Sequence, residues 1–207
     1  MHTDVTVDSL LKFWLNPLEG NQPKDYLQGA ARSQLLLALV KTLDPQPKLI
    51  LEIGCGPGRN LAVLYDAGYK QLAGIDVNPA SIELMIAHYP QMKDTGAVIG
   101  RAEDFLPCIL DKGYDLVFTM ATAQHFPNAS VFKEIARVTR QHLITVEDEK
   151  HYTPIHFPRN YRTVYEALGF KQLQELDYTQ MCELIPELAA DPGINERYVA
   201  RILKCKK

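Results

Sequence analysis

Most of what would mark this chain for a special environment is missing. Its four cysteines, Cys55, Cys108, Cys182 and Cys205, form no C-x-x-C pair and no zinc-type spacing with histidine. They predict reduced thiols in a cytoplasmic protein rather than a disulfide framework. The longest apolar run, residues 35–40, is far below the ~20 residues that span a bilayer, so no membrane segment is expected. Residues 1–4 carry neither the basic nor the apolar region of a signal peptide, which adds to the cytoplasmic expectation. Basic charge is scarce as well. With 22 Lys and Arg against 25 Asp and Glu, the net charge is −3, and no general attraction to nucleic-acid backbones is built in. Only Lys204, Lys206 and Lys207 gather, and they read as a solvated end.

What is present is an ordinary globular composition, 46% hydrophobic and 23% charged over 207 residues, a length suited to one domain. Residues 6–15 and 24–43 carry helical periodicity around a loop with Pro17, Gly20 and Pro23. They read as a helical cap, residues 1–47, in front of a core at 48–207. In that core strands are expected at 49–53, 72–77, 97–100, 114–120 and 142–147. Helices are expected at 60–67, from Pro79 onward, at 130–138, and from after Pro158 to a stop at Gly169. The alternation predicts an α/β fold with a mainly parallel sheet and helices on both faces. Residues 170–177 and 197–204 read as the last strands. No helix pattern like the earlier ones separates them, so one is expected to be antiparallel.

Four stretches carry chemistry. Residues 49–61, LILEIGCGPGRNL, run from an apolar strand through Glu52 into a G-x-G-x-G turn and then a helix. Such a turn brings backbone N–H groups and a positive helix end to a small ligand. Gly54 and Gly58 can take dihedrals closed to other residues, and Gly56 leaves room for a ligand on the backbone. The spacing differs from the G-x-G-x-x-G of dinucleotide enzymes. Asp76, ending the second strand, can accept both hydroxyls of a ribose, or can cap the next helix. Gly100–Arg101–Ala102–Glu103 can receive an adenine edge, or can be an exposed acidic loop. The fourth strand ends at Met120–Ala121, at the rim of the same crevice.

In this order and spacing the four stretches resemble the class I S-adenosylmethionine-dependent methyltransferases over residues 48–150. The resemblance implies a Rossmann-like three-layer sandwich, with a seven-stranded sheet of order 3-2-1-4-5-7-6 and an antiparallel seventh strand. It also implies S-adenosylmethionine as cofactor and S-adenosylhomocysteine as product. Glu52 would belong to the cofactor site; Gly54, Gly56 and Gly58 would lie under the methionine and ribose parts, and Asp76 would hold the ribose. Val77 and Asn78 would flank the adenosine, Ala102 and Glu103 would meet the adenine, and Met120 and Ala121 would line the sulfonium side. From the cap, Trp14 would pack across the crevice and Arg32 would pair with the cofactor's carboxylate.

His125, on the rim after the fourth strand, is the candidate base. His151, Tyr152, His156, Arg159 and Tyr161 are the candidate acceptor pocket. The Asp/Asn-Pro-Pro-aromatic motif of nucleobase amino methylation is replaced by Thr119–Met120–Ala121–Thr122. With the negative charge, this points away from nucleic acid and toward a small metabolite methylated on oxygen. No metal is expected. Two readings compete: a nicotinamide-dependent oxidoreductase, against which the glycine spacing and the antiparallel ending speak, and a non-catalytic cofactor-binding regulator.

Overall fold

The strands that the apolar runs predict are the buried middle of one sheet. In a computed structural model describing residues 6–206, β1 (Leu49–Ile53) and β4 (Tyr114–Met120) lie side by side and parallel. Alternate residues of a strand face opposite sides, and here both sides are covered. Ile50, Leu116 and Phe118 pack into one core with α2 (Ala30–Lys41), α3 (Arg59–Asp66) and α4 (Pro79–His88). Leu51, Ile53 and Val117 pack into a second core with α6 (Ser130–Val138) and α7 (Tyr161–Glu166). The sheet is completed by β2 (Gln71–Asp76), β3 (Gly96–Ile99), β5 (Thr139–Asp148), β6 (Phe170–Leu176) and β7 (Tyr198–Cys205). Its order is β3-β2-β1-β4-β5-β7-β6, with β7 antiparallel to both neighbours and the other pairs parallel.

Three local expectations differ from the structure. The continuous helix at 24–43 is broken at Gly29, whose φ of +86° cannot continue a right-handed helix. Residues Pro23–Leu27 instead make a 3-10 turn, and α2 begins at Ala30. Residues 102–105, for which an exposed acidic loop was the alternative to an adenine-binding edge, form the one-turn helix α5 (Ala102–Phe105). The last strands are separated by α8 (Tyr178–Leu184) and a 3-10 turn over Pro186–Ala190. In α8 only Met181 is buried, so the helix shows little apolar periodicity. Its start is marked by a capping box between Asp177 and Gln180. Ahead of the core stands α1 (Val7–Leu15), capped by Thr6 and tied down where Asn78 Nδ2 donates to the Trp14 carbonyl at 2.9 Å. Residues 1–5 and Lys207, and with them the leader reading and the last residue of the basic end, lie outside the described residues.

Candidate active-site cleft

All parallel strands deliver their carboxyl ends to one edge, and a cleft opens there between the sheet and the cap. The glycine turn forms its floor. Gly54 and Cys55 N–H groups both donate to the Ile75 carbonyl, at 2.8 and 3.1 Å, which binds the turn to β2. The three glycines sit at φ +74°, +50° and +74°. A Cβ at Gly54 would collide with Thr122 and one at Gly58 with Met85, whereas one at Gly56 would meet nothing within 4 Å.

Asp76 stands at the end of β2 with each carboxylate oxygen taking one backbone donor. Gly56 N–H donates to Oδ2 at 2.8 Å and Asn78 N–H to Oδ1 at 2.9 Å. A carboxylate oxygen accepts two bonds, so both retain acceptor capacity toward the cleft. Burial raises the Asp76 pKa, and the two N–H bonds work against that rise. Asn78 also caps α4, its Oδ1 accepting from Ala80 N–H at 3.0 Å.

Deeper in the cleft, Glu52 is 1% exposed, and its Oε1 accepts from Asn60 Nδ2 at 2.7 Å. Its Oε2 is buried without a partner, and burial pushes the carboxyl up to about 8. Arg59, the first residue of α3, was not anticipated from sequence. Its guanidinium donates to Ser33 Oγ at 2.9 Å and to the carbonyls of Tyr26 and Gln28, stitching the cap to the glycine turn. Burial and the nearby Arg32 pull Arg59 down to about 10, still protonated at neutral pH. Arg32 gives its Nε to Asp191 at 3.0 Å, and its guanidinium makes no other hydrogen bond among the described residues, which leaves its terminal nitrogens available. Tyr26 also lines this end. The position of Arg59 directly after Gly58 was the available signal for it; nothing local marks Tyr26.

At the far end β4 stops at Met120, and Ala121 adopts φ +52°, a conformation that L side chains rarely take. The turn that follows is anchored by Glu147 at the end of β5. Its carboxylate accepts Thr122 N–H at 2.9 Å and Gln124 N–H at 3.3 Å, although burial pushes it up to about 7. The same turn carries His125. Its Nδ1 lies 2.7 Å from the Ile155 carbonyl, and its ring meets Trp14 edge-on at 4.6 Å and His156 at 4.7 Å. Burial pushes the imidazole down to about 4.

The cleft therefore gathers Trp14, Arg32, Glu52, Gly54, Gly56, Asp76, Val77, Asn78, Ala102, Glu103, Met120, Ala121 and His125. Gly58 stands behind it as the amino-terminal cap of α3. The expected acceptor pocket is not assembled. Tyr161 is fully buried in the second core, because α7 turns its ring against Phe132 and Tyr165. Arg159 is occupied by the carbonyls of Phe126, Phe157 and Pro127. Tyr152 is 63% exposed and packs edge-on against Phe157. His151 and His156 lie beside Asp148 instead of on the cleft wall. The cleft is also lined by the cap residues Val7, Leu10 and Leu11 and by Phe126 and Pro127.

Residues 51–144, which contain the glycine turn, Asp76, Glu103 and His125, match the family described as methyltransferase domain. Over this stretch, somewhat less than half of the chain, the protein is similar to a methyltransferase domain. Among curated proteins no match was found. Solved structures share the fold at low identity. Geranyl diphosphate C-methyltransferase from Streptomyces coelicolor A3(2) is 10% identical with a TM-score of 0.71, covering 96% of this chain and 97% of its own. Magnesium protoporphyrin IX methyltransferase from Synechocystis PCC 6803 is 11% identical with a TM-score of 0.70, covering 95% and 98%. The [4+2]-cyclase SpnF is also similar, at 15% identity and a TM-score of 0.64 over 84% and 80%, so the fold alone does not name a reaction.

The cleft has a donor set that fits S-adenosylmethionine. The open space over Gly56 is the kind a close-lying ligand fills, and Asp76 keeps acceptor capacity for a ribose diol. The unpartnered Oε2 of Glu52 and the available nitrogens of Arg32 suit an amino acid's ammonium and carboxylate.

Proposed function

We propose that this methyltransferase methylates an oxygen of a small molecule, with His125 as the base. The state of His125 carries the reading. A contact of 2.7 Å to a carbonyl requires the proton on Nδ1, which leaves Nε2 as an acceptor. An imidazole pushed down to about 4 is neutral at pH 7 and takes a proton only as it leaves the acceptor. So weak a base suits a hydroxyl that is already acidic, such as a phenol, better than a sugar hydroxyl.

S-adenosylmethionine supplies a sulfonium-bound methyl group open to in-line attack. In our reading Asp76 holds the ribose, Val77 and Asn78 flank the adenosine, and Ala102 and Glu103 meet the adenine. Glu52 takes the ammonium and Arg32 the carboxylate, with Gly54 and Gly56 beneath and Gly58 setting the start of α3. Met120 and Ala121 border the methyl group, and Trp14 closes the cleft over His125. Apolar residues of α1 exclude water from the acceptor end. A small acceptor, rather than nucleic acid, accords with the net charge of −3 and with two fold relatives named for small-molecule methylation. Among the described residues no helix is long and apolar enough to cross a membrane.

Calorimetry with S-adenosylmethionine and S-adenosylhomocysteine is the first test, and the absence of binding by both would overturn the reading. His125→Ala should lower turnover on a panel of phenols and hydroxy acids by roughly 10²–10⁴-fold. Cofactor Kd should change far less than turnover, since Asp76, Glu52 and Arg32, the proposed ligands of the ribose and the amino-acid end, make no hydrogen bond to His125. Full turnover by that variant would remove His125 from the role of base.

A further inference from the structure

Beyond the carboxyl end of β5, three side chains that the proposed reaction does not use converge. Asp148, His151 and His156 each place a potential ligand atom within 4.8 Å of the other two. Asp148 is 1% exposed, and its Oδ2 is buried without a hydrogen-bond partner. The Nδ1 of His156 is buried and unpartnered as well. A desolvated carboxylate oxygen and a desolvated imidazole nitrogen side by side are costly unless something shared satisfies them.

We propose that Asp148, His151 and His156 bind a divalent transition-metal ion of the zinc class. Two imidazoles and one carboxylate suit zinc-like ions rather than magnesium or calcium, which demand oxygen ligands. Three protein ligands leave a fourth tetrahedral position open, as in catalytic zinc sites. Ligand atoms around such an ion stand about 3.3 Å apart, so no pair of the trio need close by more than about 1.5 Å. His151 is exposed and free to rotate, while Asp148 is held by Lys150 and His151 N–H groups, each 2.9 Å from Oδ1. The competing cation is Arg197, whose Nε lies 3.2 Å from Asp148 Oδ2 but donates to Asn195 Oδ1 at 3.0 Å. Lys150 is directed away, to the Glu196 carbonyl.

The site stands one imidazole from the cleft, since the His156 ring is 4.7 Å from that of His125.

Chelator-treated full-length protein titrated with cobalt(II) and zinc(II) tests the site. One equivalent per chain should bind, cobalt giving the visible d–d bands of a tetrahedral N/O site. Asp148→Asn, His151→Ala and His156→Ala should each weaken binding at least about tenfold. Arg197→Ala should bind more tightly. The site is overturned if no single equivalent binds or if the bands carry cobalt–thiolate charge transfer. It also falls if His151→Ala, a surface change with a parental circular-dichroism spectrum, binds like the parent. Cofactor calorimetry on the same sample separates the two claims: cofactor binding without metal binding sinks only the metal site, and the reverse sinks only the transferase reading.

Discussion

A methyl group added at Gly56 would meet open cleft, and one added at Gly58 would strike Met85. Both residues sit at positive φ, so either alanine substitution carries a backbone cost of about 1–2 kcal/mol. Gly56→Ala should lose little more than that, yet weaken S-adenosylmethionine binding more than tenfold. Gly58→Ala should lose clearly more stability because it adds a core clash. Urea unfolding beside calorimetry distinguishes the two, and equal stability losses would refute the assignment. Glu52 makes a pH prediction at the same scale. Its folded pKa, about 8, is raised above the 4.5 of a free carboxyl, so the folded state binds more protons between those values. The associated stability is complete below about pH 4.5 and is lost as pH rises through 8. Glu147, at about 7, acts in the same direction. His125 acts oppositely, because a folded pKa near 4 against 6.5 costs stability as pH falls below 6.5. Unfolding free energy should therefore decline from pH 6.5 to 8.5, and Glu52→Gln should flatten that decline.

Elements meet in the turn between β4 and its 3-10 continuation. Nothing in the Thr119–Gln124 sequence requires a turn there. It is held from outside by Glu147, which comes from β5 and receives its N–H groups. Glu147→Gln should cost about 1–3 kcal/mol, the range for hydrogen bonds to a charged acceptor. It should also lower kcat with little change in cofactor Kd, since the base and not the donor pocket loosens. A parental kcat would show that His125 is placed by something else. Long, strongly patterned elements such as β1, β4 and α6 were legible because burial on a fixed period leaves its mark in sequence. Helix α8 was not, because it buries a single side chain. The break at Gly29 was also hidden, since the apolar pattern of α2 runs past it.

Across the whole molecule, the unusual end of the sheet is tied together by one arginine. Arg201 on β7 is 3% exposed and pairs through two nitrogens with both Glu149 oxygens at 2.7 Å, while a third reaches Gln172 and Glu175 on β6. Glu149 also accepts Tyr161 N–H at 3.2 Å, so the start of α7 and the 149–160 loop depend on the same cluster. Arg201→Leu would strand a buried carboxylate and should cost about 3–5 kcal/mol. For a chain of this size that is a fall in Tm of roughly 6–20 °C, readable by calorimetry. A loss below about 1 kcal/mol would show the cluster to be solvated.

The sequence by itself determined the floor of the cleft. Glycine spacing, a strand-ending carboxylate and buried strand runs are local patterns, and short-range backbone geometry turns them into the turn and strand ends that form it. The placement of residues 148–161 was decided only by tertiary structure. Tyr161 and Arg159 look polar and available in sequence, yet α7 packs one into the core and three carbonyls occupy the other. Asp148 and His156 look unrelated, yet the loop after β5 folds back to bring them together. Such pairings depend on which residues distant in sequence share a desolvated space, and no local pattern carries that.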